Sequence, residues 1–219
     1  MNQDQLVQNT MAFVKQSLHD AEGGHDWFHI ERVFHTSKLL LEAENANPLI
    51  VQLAALLHDV ADPKFHDGDE SVGPKMASEF LKSQQVDEAI IEHVVNIIRH
   101  MSFKNSLDNQ GKVFSSIELQ IVQDSDRLDA IGAIGIARAF NYGGFKNREL
   151  YNPDIQPNPN MTKEEYKASK APTINHFYEK LLLLKDLMNT ETGKKIAQER
   201  HQFMLDFLEQ FYKEANLPK

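Results

Sequence analysis

The sequence predicts an all-α fold, a single helical bundle, on three observations. Apolar residues recur at spacings of three and four in nearly every segment, as in helices that bury one face. No alternating strand pattern, internal repeat or phosphate-binding glycine loop is evident, so a P-loop or Rossmann arrangement has nothing to rest on. A chain of 219 residues also suffices for one sizeable core, and one domain is expected over 1–219.

The elements follow in order. Leu6, Val7, Met11, Val14 and Leu18 predict a helix from 3 to about 19, stopped by Gly23 and Gly24. A second helix opens within HDWFHIERVFHTSKLLLEAE and buries Ile30, Val33, Phe34, Ser37, Leu40 and Leu41. The third has Asn47 as N-cap, Pro48 in its first turn and an apolar run from Leu49 through Val60. DPKFHDGDESVGP then reads as a loop. Two helices come next, one around Met76, Phe80 and Leu81, the other from the N-cap Asp87 through Ile90, Val94, Ile97 and Ile98 to His100. A capping box from Ser115 to Glu118 opens one long helix over 115 to about 140. Residues 141–171, with three of the eight prolines, form a loop. The C-terminal helices, within 172–216, run from Thr173 to Met188 and from about Lys194 to Ala215.

Composition narrows the function. A net charge of −9 argues against nucleic acid as partner, since such binding rests on clustered Lys and Arg. A small-molecule partner is expected instead. With no cysteine, any transition metal must be held by histidine and carboxylate, in keeping with a reducing cytoplasm. The N-terminus MNQDQLVQNT has no basic n-region and apolar h-region, and no run approaches the roughly 18 apolar residues of a membrane span, so no membrane association is expected.

The centre of the chain is LAALLHDVAD, residues 53–62, an apolar helix ending in a histidine and a carboxylate. An ionised carboxylate at the edge of an interior is costly unless a cation compensates it, and a metal ion would. His-Asp occurs four times, so the doublet alone is not diagnostic; a helix-surface histidine beside a solvated aspartate is the bland alternative. More ligands are needed. His25 and His29, four apart, can share a face, and one of the two can be a ligand. In DSDRLD three aspartates interrupt an apolar helix; Asp126 and Asp129 share a face while Asp124 is rotated away. Asp62 and Lys64 lie within reach of whatever the doublet binds, as candidate proton-transfer carboxylate and phosphate contact. The loop combines Tyr142, Phe145 and Tyr151 with Lys146 and Arg148, a mixture able to stack on a base and hold phosphates.

Taken together, HxxRV at His29, HD at 58–59 and DSDRLD at 124–129 resemble the HD-domain superfamily of metal-dependent phosphohydrolases, over roughly residues 20–140. The remainder, including INHFYEKLLLLKDLMNTETGKK, is similar to a small bacterial branch of it, all-helical and cleaving nucleoside triphosphates. The resemblance implies an HD-domain bundle with the metal between helices and His29, His58, Asp59 and Asp126 as ligands. Asp126 is preferred to Asp124 because the family's D-x-D-[KR] form uses its second aspartate. It further implies one divalent ion, with Mn favoured and Fe, Co, Ni, Zn or Mg as alternatives, and a nucleotide substrate; a homodimer is left open. Arg127 matches a residue that contacts substrate phosphate. Arg32, Lys64, Asp129 and His25 join it as substrate contacts, and Asp62 and His100 are the candidate proton donors. The expected activity is a nucleoside triphosphate pyrophosphohydrolase. A phosphomonoesterase, a cyclic phosphodiesterase and a non-enzymatic nucleotide or metal sensor are the alternatives.

Overall fold

The computed structural model describes residues 2–19, 26–61, 69–101, 114–162, 165 and 168–215. The fold is all-α, and no strand occurs among the described residues. No described helix is long and apolar enough to cross a membrane. Contacts group the chain into two compact units, Met1–Asp126 and Arg127–Lys219.

The first unit contains α1 (Gln3–Ser17), α2 (Trp27–Leu41), α3 (Pro48–Leu57), α4 (Val72–Ser83), α5 (Glu88–His100) and most of α6 (Ile117–Asp129). Its centre is α3, which packs against α1, α2 and α5 and buries every residue from Leu49 to Leu57 except Gln52. So apolar a segment can only be an interior helix. Its start is fixed locally: the Asn47 side chain accepts from the N–H groups of Leu49 and Ile50, and Pro48 occupies the first turn. Asp87 caps α5 in the same way by accepting from Ala89. α4 begins at Val72, so Gly73 and Pro74, expected in the loop, form its first turn, where a missing proline N–H costs nothing.

The second unit carries the end of α6, then α7 (Gly132–Phe145), α8 (Thr173–Glu179), a 3-10 helix (Leu181–Leu187) and α9 (Glu191–Glu214). Phe140, Phe177 and Phe207 form its aromatic core, with ring centroids about 6 Å apart.

Five expectations are corrected here. The single helix over 115–140 is two, because Ile131 is extended and Gly132 has φ of +75°, a left-handed conformation that no helix continues through. The cap of α6 is Ser116, whose hydroxyl accepts from the Leu119 N–H, and not Ser115. α7 continues through Phe145, so Tyr142 and Phe145 are helical and the irregular stretch starts later than 141. The helix over 173–188 breaks at Lys180, whose backbone leaves the helical region, and continues as a 3-10 segment. α9 likewise starts at Glu191, where Thr190 accepts from the Gly193 N–H.

Candidate metal centre

Three side chains of the first unit converge. His29, in the first turn of α2, is placed by its N-cap: the Asp26 carboxylate accepts from the His29 backbone N–H at 3.0 Å, and the residue is 1% exposed. His58 is the residue that ends α3. Asp126 lies near the end of α6. His29 Nε2 is 3.5 Å and His58 Nε2 3.9 Å from the same Asp126 oxygen, and the two imidazoles meet edge to face at 5.4 Å.

The hydrogen bonds favour a cation here. His58 Nδ1 lies 2.9 Å from the Ala55 carbonyl oxygen, which can only accept, so Nδ1 carries the hydrogen and Nε2 presents a lone pair. That Nε2 is buried and has no hydrogen-bond partner. A buried polar atom without a partner costs on the order of 1–3 kcal/mol. Two imidazole nitrogens and a carboxylate oxygen lie within 4.8 Å of one another, a donor set suited to a divalent metal. Asp59 follows His58 directly and is half-buried, but its carboxylate is not in that group. Asp124, fully buried, is not in it either.

The other candidates are placed differently. His25, Asp62 and Lys64 lie outside the described residues. Arg32 is half-buried on α2, one turn beyond His29. His100 ends α5 with Nδ1 at 2.8 Å from the Asn96 carbonyl oxygen, and its own carbonyl accepts from Gln123. It also helps line a cavity of about 750 Å³ with Lys75, Lys82 and Arg99, a cavity whose lining does not include the three converging residues. Arg127 donates to the Leu187 carbonyl.

Asp129 is not open to substrate. It is 3% exposed, and its carboxylate takes a 2.7 Å bond from Arg138. Sequence reasoning missed this pairing, along with Arg200, which donates to the Leu128 carbonyl. The nine-residue and 72-residue separations leave no local signal for either. A third polar group ties α5 and α6 together: Glu118 accepts from the Asn47 N–H and lies 3.4 Å from His93. Burial pushes the Glu118 pKa up, but the Asn47 N–H, its own backbone N–H and His93 outweigh it and hold the carboxyl below its ordinary value.

Comparison with known proteins gives this geometry a family setting. The HD domain model matches residues 27–131, which contain all three converging residues. The YpgQ protein of Bacillus subtilis is 38% identical over 98% of this chain and 96% of its own. Its crystal structure in complex with ADP superposes with a TM-score of 0.75 at 35% identity, covering 98% of this chain and 97% of that one. An HD-superfamily hydrolase from Bacillus thuringiensis is 44% identical with a TM-score of 0.78, over 99% of this chain and all of that one.

Proposed function

We infer the reaction from one premise: the chain belongs to the HD-domain family, whose members are metal-dependent phosphohydrolases. The proposed reaction is cleavage of a nucleoside triphosphate at the α-phosphorus, releasing a nucleoside monophosphate and pyrophosphate. The observation that carries a hydrolytic site is the unpartnered, buried Nε2 of His58 beside His29 and Asp126. The ADP complex of the Bacillus subtilis relative supports a nucleotide, and one with more than a single phosphate.

Each residue then has a task. His29 and His58 offer Nε2 lone pairs and Asp126 a carboxylate oxygen, with Asp59 proposed as the fourth donor. A divalent ion held by them, manganese first among the candidates, would supply a water of lowered pKa and positive charge for the phosphoryl oxygens. Arg32, Arg127 and Lys64 hold the phosphate tail. For Arg127 this exchanges the bond to the neutral Leu187 carbonyl for a stronger, charge-assisted one. His100, whose Nδ1 is occupied by the Asn96 carbonyl, keeps Nε2 for proton transfer to the leaving group, with Asp62 as the other proposed donor.

The test is hydrolysis of a deoxynucleoside triphosphate with Mn²⁺ in water enriched in heavy oxygen. Label on the monophosphate is expected. Label on orthophosphate with accumulating diphosphate would place attack at the γ-phosphorus. No turnover of triphosphate, with hydrolysis of a nucleoside monophosphate or cyclic nucleotide run alongside, would replace the proposal with a phosphomonoesterase or phosphodiesterase.

A further inference from the structure

We propose that Arg200, far from the metal group in sequence, is a positioning residue for Asp126, through the last turn of α6. The inference rests on the assignment of Asp126 as a metal ligand. Asp126 occupies the final turn of a helix that ends at Asp129. The last four carbonyls of a helix have no partner within it, so a terminal turn frays unless something outside satisfies them. A ligand carried on a fraying turn would be a poor one, because affinity depends on donors held in place before the ion arrives.

The end of α6 tightens into a closing turn in which the Arg127 and Leu128 carbonyls accept from the Ala130 and Ile131 N–H groups at 3.1 and 3.3 Å, and two arginines add donors to it. Arg200 of α9 donates to the Leu128 carbonyl, and Arg138 of α7 reaches the Asp129 carbonyl at 3.3 Å and its carboxylate at 2.7 Å. Their positive charge also suits the negative end of the helix dipole. The Arg200 stem lies over Gly132, where a Cβ would stand 3.0 Å from Arg200 Cγ, and Gly132 needs φ of +75° to turn the chain there. One turn further, a Cβ on Gly135 would stand within the radius of the Ala130 carbonyl oxygen. The corner therefore fits only glycine at both positions, and the guanidinium reaches Leu128 over it. Burial pulls the Arg200 pKa down while the Asp129 carboxylate opposes the pull, as expected for a cation committed to a buried helix end.

The test is titration of the metal-free protein with Mn²⁺ alone, followed by electron paramagnetic resonance and calorimetry, with no substrate present. Arg200→Met keeps the stem over Gly132 and removes the donor; its Mn²⁺ affinity is expected to fall on the order of 10-fold. Arg200→Lys, which keeps a charged donor without the planar fork, is expected to fall between the two. A merely structural arginine would lower the thermal midpoint and leave the affinity of the folded protein unchanged. Wild-type Mn²⁺ affinity in folded Arg200→Met overturns the proposal. Should that variant not fold, Arg200→Lys decides: reduced affinity at full helicity supports the role, and wild-type affinity removes it. Asp126→Ala separates the premise, because wild-type binding there overturns the ligand assignment itself, whereas lost binding there with normal Arg200→Met overturns only the positioning role.

Discussion

Asp126 and Asp129 stand three residues apart on one helix and face opposite chemistry. The Asp126 side chain is 42% exposed and looks toward two imidazoles, one of them with an unpartnered buried nitrogen. Asp129 is 3% exposed and closed off by Arg138, with Arg200 close enough to feel its charge. Both are carboxylates in a strongly apolar neighbourhood. In the second the protein itself supplies the compensating charge; in the first the neighbours are two imidazoles whose geometry could hold a cation. A polar cluster whose electrostatics the chain does not complete marks a binding site, and a completed one marks architecture.

The comparison breaks most clearly under substitution of the two aspartates. Asp126→Ala should weaken Mn²⁺ binding by more than about 100-fold, beyond the usual effect of outer partners, and turnover should fall with it. The metal-free thermal midpoint should hardly move. Calorimetric titration and a melting curve on the same sample read both. Asp129→Ala should do the reverse in stability, losing about 1 to 3 kcal/mol because the part-buried Arg138 guanidinium loses its charge-assisted partner. Urea unfolding measures this, and an unchanged midpoint would mean that the Arg138 pair contributes little.

A smaller effect sharpens the contrast from within the second unit. Burial, reinforced by Lys180 and then Arg148, lowers the His176 pKa to about 4. The unfolded chain, near the ordinary 6.5, therefore binds more protons between these values, so stability is full above pH 6.5 and declines as pH falls toward 4. The whole window is worth up to about 3 kcal/mol. Melting curves of wild type and His176→Gln across it should converge at acid pH, and parallel curves would mean that the histidine does not govern the decline.

The sequence made legible whatever is specified within a few residues. The caps at Asn47 and Asp87, the interior character of α3 and the doublet at its end all follow from neighbours along the chain. His29, His58 and Asp126 were identified because their polar groups interrupt apolar helices in a pattern resembling a known family. What stayed hidden depends on distant residues. Nothing near Gly132 announces that Arg200 will lie against it, and an AIGAIGIA segment reads as continuous helix until the left-handed residue is seen. Asp129 shares a face with Asp126 in sequence, and the Arg138 pairing that closes it off comes from nine residues on. Asp59 follows His58 in sequence but its carboxylate lies outside the group of three, so its proposed place as fourth donor rests on the family pattern.

The segment shared with the HD family ends at residue 131, one position before the left-handed glycine. It contains the whole of α6, yet Arg138 and Arg200, which close that helix, both lie outside it. The matched segment thus carries Asp126 on a helix whose end is closed in part by side chains from outside that segment. A chain with a different C-terminal half would keep the Ile131 N–H on the Leu128 carbonyl and would need other donors in place of the two guanidinium groups. Metal affinity can then diverge between branches that keep every ligand, and grafting the C-terminal half of one branch onto another becomes a way of changing it.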